Sequence, residues 1–137
     1  MAGFRLTSLL RVRQIQEDQA AGRLADAQRH ATAEQRRAAD ERALLEEFGG
    51  ANVLAAAGIA RAAAAGQLAE IRSAQAVAAG EVQAAEQALL LAVQARRSAE
   101  LLRDRHEMKL RALAGKAEQQ VLDELASTAH HRAGDSR

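Results

Sequence analysis

The chain has 137 residues, 19 Lys and Arg against 18 Asp and Glu for a net charge of +1, no proline, no cysteine, and two aromatics, Phe4 and Phe48. The even charge balance argues against a general nucleic-acid binder, which carries a basic surplus; the missing cysteines remove any disulfide frame or thiolate chemistry, and so few aromatics argue against a thick globular core. Ala, Leu, Glu, Gln and Arg dominate. These are strong helix formers, and without proline to break them the expected product is long helices or a coiled coil.

The first element opens at a basic stretch. Residues 1–16 hold Arg5, Arg11 and Arg13 and no acid. They have no apolar run of the kind a secretory signal needs, so they read as the start of a helix rather than as a leader. A helix is predicted from about residue 6 to 48, with Thr7 or Ser8 as its cap. Leu10, Leu24, Ala31, Ala38 and Leu45 fall on a seven-residue repeat, and Ala20, Ala27 and Phe48 fall on a companion seam. Glu17, Glu34 and Glu41 interrupt the two seams, a pattern better suited to a two-helix hairpin than to a strong parallel zipper. Gly49 and Gly50 then end the run, as C-terminal glycines do.

Residues 46–71, EEFGGANVLAAAGIARAAAAGQLAEI, are nearly neutral. A turn or tip is expected over about 49–61, with Gly58 and Gly66 loosening the entry to the second helix. The glycines do not form a nucleotide loop: Gly66 is followed by Gln67 and Leu68, where a phosphate-binding loop needs Lys and then Ser or Thr. A dinucleotide fingerprint is also missing. The weakly charged run 48–69 holds Asn52, Arg61 and Gln67 among small residues, whereas a membrane span needs about 20 predominantly apolar residues. A plain solvent-exposed turn tolerates charge, so Phe48, Val53, Leu54 and Ile59 are read as covering a partner or capping the hairpin.

The second helix is predicted from about 62 to 129, with a frayed tail over 130–137. Leu68, Val82, Leu89 and Leu110 share one heptad seam, broken by Gln75, Arg96 and Arg103. Ile71, Ala78, Ala85, Ala92, Ala99, His106 and Leu113 form its companion, and the run continues through Ala117, Val121 and Leu125. At 1.5 Å per residue the first helix is roughly 65 Å long and the second roughly 100 Å. An antiparallel hairpin therefore pairs helix one with residues up to about 105 and leaves the rest of helix two overhanging. An unpaired apolar stripe on such an overhang is an expected partner site. The fold class is all-α: a long antiparallel two-helix coiled-coil hairpin, one domain over 1–137, with the longer helix second.

No constellation of residues supports catalysis. Of His30, His106, His130 and His131, only His30 has a helical carboxylate mate at Glu34, and one such pair cannot close a metal site. Asp40-Glu41, Glu46-Glu47 and Asp123-Glu124 lack the cleft that shifts carboxylate pKa values and read as solvated helix faces. Arg96, Arg97, Arg103, Arg105, Lys109 and Arg111 are interleaved with Glu100, Asp104 and Glu107, giving i, i+4 support such as Glu107 to Arg111. No cofactor and no metal is expected, and the chain is read as a non-enzyme.

The two ends carry a resemblance. The opening FRLTSLLRVRQIQEDQAAGRLADAQ and the late ARRSAELLRDRHEMKLRALAGKAEQQVLDELAS resemble the flagellar export chaperone FliJ family, the second through a basic, Leu-containing helix closing in Leu122-Asp123-Glu124-Leu125-Ala126. The length and two-helix plan also match. The resemblance implies a long antiparallel coiled coil similar in shape to the stalk of rotary ATPases, acting in the bacterial flagellar type III export apparatus. It implies contact with the export ATPase ring at the terminal end and with the membrane export gate toward the tip. It also implies traffic with export chaperones, and a cytoplasmic place at the inner face of the cell membrane without insertion into it. On the gate side the matching positions are Leu44 and Phe48, with Leu68 on helix two; aliphatics and alanine stand where relatives place tyrosines. On the ATPase side the overhang offers Arg103, Arg105, Lys109 and Arg111 as polar contacts and Leu110, Leu113 and Val121 as apolar ones. An alternative from the residues alone is a structural stalk or assembly protein of another secretion or envelope complex.

Overall fold

The computed structural model describes residues 2–49 and 57–134, with side chains described over 5–47 and 58–134. The protein is all-α: helix α1 (Ala2–Gly49, 48 residues) and helix α2 (Ala57–Gly134, 78 residues) pack against each other as a two-helix hairpin. Val53, Leu54 and most of the expected turn lie outside the described residues, as do the side chain of Phe48 and residues 135–137 of the expected tail.

Several boundaries differ from those read in the sequence. Helix α1 starts at Ala2 rather than near residue 6, so Thr7 and Ser8 sit inside the helix and neither is its cap. The Ser8 hydroxyl instead donates back along the helix to the Arg5 carbonyl at 2.8 Å, a local bond open to a serine that has no terminal amide to serve. Helix α2 starts at Ala57, ahead of Gly58, and runs on through Gly66 without a break. It also continues to Gly134, past the point where fraying is expected near residue 130. At the start of α2 the cause is alanine: residues 57–66 hold six of them, a segment that loses little side-chain entropy on becoming helical, so its glycines do not stop it.

The packing falls into two compact units. One comprises Gln14–Ala95. Its inward columns follow the heptads closely. On α1, Glu17, Ala20, Leu24, Ala27, Ala31, Glu34, Ala38, Glu41 and Leu45 are shielded, while the residues between them are open to solvent. On α2, Leu68, Ile71, Ala74, Gln75, Ala78, Val82, Ala85, Leu89, Ala92 and Val93 are shielded in the same way. Within this unit Glu81 reaches His30 and Gln75 reaches Arg42. Later residues of α1 thus meet earlier residues of α2, and the helices run antiparallel.

Alanines supply most of the buried positions. Ala20, Ala38 and Ala78 are buried, the last two at 1 % exposure, and so is Ile71. A side chain of one carbon lets two backbones approach, so cohesion comes from dispersion between close helices rather than from large buried side chains. The glutamates that interrupt the seam are half-covered and retain polar neighbours. Glu34 lies 3.8 Å from the His30 ring and Glu41 accepts from the Arg37 guanidinium at 3.0 Å. That hydrogen bond, followed by the charges of Glu41 and Glu34, raises the Arg37 pKa above its ordinary value. Each acid therefore stays at the rim of the seam with its charge solvated or paired.

The other unit comprises Met1–Arg13 with Arg96–Arg137. Here Leu10 and Ala99 are buried, and Leu6, Leu9, Arg13, Arg96, Glu100 and His106 are partly covered. Arg96 and Glu100 form a partly covered ion pair at 2.6 Å. From Glu107 to Gly134 every residue is exposed.

Gly22, Gly66, Gly80 and Gly115 lie inside helices, and a methyl group added at any of them meets no atom within 4 Å. None has a positive φ. Glycine there costs backbone entropy with no compensating close approach. Each Gly→Ala substitution is expected to stabilise the fold by about 0.5–1 kcal/mol, measured as a higher urea midpoint with an unchanged slope.

Within Gly58–Gly134 a stretch of mean hydropathy 1.2 is long and apolar enough by length and composition to cross a membrane, and 6 % of it is buried. Composition of this kind is shared by alanine-rich helices that pack on a neighbour, and α2 does pack on α1 through its heptad columns.

Candidate functional site

The site begins where the inward face of α2 runs out of cover. Ala99 is buried and His106 is half-covered, but the same columns continue into Leu110 and Leu113, which are 52 % and 63 % exposed. Val121 and Leu125 follow, also exposed. On a helix of 100° per residue, Leu110, Leu113, Ala114, Ala117, Val121 and Leu125 fall within about 120° of one another, an apolar stripe with Glu124 the one acid inside its arc between residues 110 and 125. The stripe is amphipathic in the way of a core-facing helix, yet nothing in its own unit lies on it.

Its register changes along the way. Extending the heptads from Leu110 and Leu113 leads to Ala117, Gln120, Glu124 and Ser127. The apolar residues instead step by four, through Ala117, Val121 and Leu125. Such a shift replaces the seven-residue period by one nearer eleven, which favours a right-handed over a left-handed supercoil. The overhang therefore suits a partner that shares this period, not a simple continuation of the pairing with α1.

Charge flanks the stripe. Arg103 pairs with Asp104 at 3.3 Å and with Glu107 at 3.8 Å. The expected pair of Glu107 with Arg111 is not formed; Glu107 turns back toward Arg103, which offers the same i, i+4 spacing from the other side. Arg105, Lys109 and Arg111 project into solvent and form no ion pair among the described residues. Farther on, Asp123 accepts from Gln119 at 3.0 Å, and the Thr128 hydroxyl donates to the carbonyls of Glu124 and Leu125. All seven residues singled out on this side, Arg103, Arg105, Lys109, Leu110, Arg111, Leu113 and Val121, are exposed on one helix and in one unit.

The three residues named for the tip side separate. Leu44 is exposed on α1. Leu68 is half-buried on the inward column that leads to Ile71 and Gln75, so much of its surface is already covered within the hairpin. Phe48 lies outside the described side chains. Ile59, 79 % exposed near the start of α2, is the open apolar residue on that stretch of the helix.

One contact is not legible from spacing. The carboxylate that spacing offers His30 is Glu34, four residues on. The structure adds Glu81, whose Oε2 lies 3.2 Å from Nδ1 of His30 across the two helices. The arrangement does not amount to a metal centre, and no group of three His, Asp or Glu among the described residues can hold an ion. Glu34, Glu41 and Glu70 with Arg37, Ala38, Ile71 and Ala74 line a groove between the helices.

Comparison with known proteins closes the assignment. No curated protein and no solved structure matches the chain. Residues 1–135 match the family described as the flagellar FliJ protein, which spans both helices and the whole of the overhang described above. Taken with the two-helix hairpin and its exposed terminal stripe, that match makes the chain a member of the flagellar FliJ family and a component of the flagellar type III export apparatus.

Proposed function

We propose that the protein is a non-enzymatic stalk and adaptor of the export apparatus, with the overhang of α2 as its docking end for the export ATPase. The supporting observation is the fully exposed segment from Glu107 to Gly134, which carries Leu110, Leu113, Val121 and Leu125 on a stripe with no cover in its own unit. Arg103, Arg105, Lys109 and Arg111 supply polar contacts around that stripe. A basic rim steers an acidic partner and fixes orientation, while the apolar centre supplies most of the affinity.

In this reading the end of the hairpin near Leu44, Phe48 and Leu68 meets the membrane export gate, with Leu44 as the accessible member. The protein works at the cytoplasmic face of the membrane and handles export chaperones, without cofactor or nucleic acid. No step of bond-making is assigned to it: its contribution is to hold two machines in register through a stiff helical pair.

Co-purification tests the reading. A tagged chain recovered from cells is expected to bring down the export ATPase as a major partner, identified by mass spectrometry. Recovery of the chain without the ATPase, under conditions that keep the flagellar export complex intact, overturns the docking assignment.

A further inference from the structure

We propose that the overhang is also a self-association surface: residues 103–131 of one chain pair antiparallel with the same residues of a second copy. The inference does not depend on the ATPase assignment, because every observation behind it lies on the segment itself.

The apolar stripe is close to its own mirror image. Read forward it steps from Leu110 to Leu113 or Ala114, then Ala117, Val121 and Leu125. Read backward from Leu125 it meets Val121, Ala117, Ala114 and Leu110 at steps of four and then four or three. An antiparallel partner centred near Ala117 therefore sets Leu110 against Leu125 and Ala114 against Val121. The small residue at the centre lets the two helices approach, and large ones at either side fill the space. Both copies share the same period near eleven, so the two stripes stay in contact along the segment, whereas a heptad partner drifts off it. At 1.5 Å per residue the paired length is about 44 Å.

Charge selects the direction. Residues 103–116 hold Arg103, Arg105, Lys109, Arg111 and Lys116 against Asp104 and Glu107, a net charge of +3. Residues 117–131 hold Glu118, Asp123 and Glu124 and no Lys or Arg, a net charge of −3. Antiparallel pairing lays the basic half of each copy along the acidic half of the other, twice over. Parallel pairing sets basic on basic and acid on acid. Lys109 and Arg111 on one half and Glu118 and Glu124 on the other stand nearest the stripe, and charges so placed choose partner and orientation in helical pairs. The same stripe cannot serve a second copy and another protein together, so self-pairing protects it until such a protein displaces it.

The chain has no cysteine, and single introduced cysteines therefore report the pairing without background. A disulfide needs Cα atoms within about 7 Å. Ala117→Cys, at the centre, is expected to cross-link to itself under mild oxidation. Leu110→Cys is expected to cross-link to Leu125→Cys in a mixture but not to itself, and Ala112→Cys, on the far side of the helix, is expected to give monomer. Sedimentation equilibrium of the unmodified chain should show a concentration-dependent dimer. Combined Glu118→Lys and Glu124→Lys, the two acids nearest the stripe on its acidic half, should weaken it at least tenfold, with helical content retained by circular dichroism. Self-cross-linking of Leu110→Cys overturns the antiparallel arrangement, and a monomer at every concentration together with no Ala117→Cys dimer overturns the proposal.

Discussion

Ala78→Asp is expected to abolish the close pairing of α1 and α2 in the unit Gln14–Ala95. Ala78 is 1 % exposed and stands on the inward column of α2, as Ala38 does on α1. A carboxylate there must either enter a space sized for a methyl group or force the helices apart. An unpaired buried charge costs several kcal/mol. Separation instead forfeits the dispersion that close backbones gain. Either route amounts to about 3 kcal/mol or more, a large share of the 5–15 kcal/mol typical of a folded domain. Urea unfolding followed by circular dichroism is the measurement. Ala79→Asp is the control, one residue along and exposed, and a surface substitution there should change stability by about 0.5 kcal/mol or less. Equal effects at 78 and 79 would show that α2 does not use this face.

The second large effect concerns binding. Leu110→Asp together with Leu113→Asp should remove most of the affinity for the export ATPase while leaving the hairpin folded. Both side chains are exposed in the free protein, so the substitutions bury no charge and leave no cavity. Their cost to the fold is confined to the weaker helix propensity of Asp, about 0.5 kcal/mol each. At an interface each leucine contributes about 1.5–3 kcal/mol when fully covered. Losing two implies a fall in affinity on the order of 100-fold or more. A pull-down with purified ATPase, alongside a melting curve of the double variant, reads both halves. Undiminished binding by a folded variant would move the site off this stripe. The double variant also removes the stripe used for self-pairing. The charge-reversed variant at Glu118 and Glu124 and the cysteine pairs keep the two questions apart, because they are read on the purified chain.

Much of the architecture is legible in the residues. The heptad columns through Leu10, Leu24, Ala38 and Leu45, and through Ile71, Ala78 and Ala99, are the ones the structure covers. The glutamates on those columns also hold their places, at the rim rather than outside the seam. Periodicity succeeds here because a helix of 3.6 residues per turn has one face to bury, and among the described residues one other helix is there to bury it. The ends are less legible. Thr7 and Ser8 look like caps by residue type, yet α1 begins ahead of them. Gly58 and Gly66 look like breakers, yet α2 includes both. Residue preferences at helix ends amount to about 1 kcal/mol, and a long alanine-rich helix packed on a neighbour outweighs them.

The candidate site divides in the same way. That α2 outruns α1 follows from counting residues, and the apolar stripe beyond residue 106 follows from spacing. The identity of the uncovered residues needed the pairing itself. Leu68 and Leu110 occupy the same heptad column in the sequence, and only contact with α1 makes the first half-buried and leaves the second 52 % exposed. His30 illustrates the point again: Glu34 is its neighbour by spacing, but Glu81, 51 residues away, reaches it only through the antiparallel register. The sequence by itself determined the helices, their seams and the excess length of the second, because those depend on local preference and period. The tertiary structure decided which part of a uniform-looking stripe is core and which is surface, because that depends on where the shorter helix ends in space.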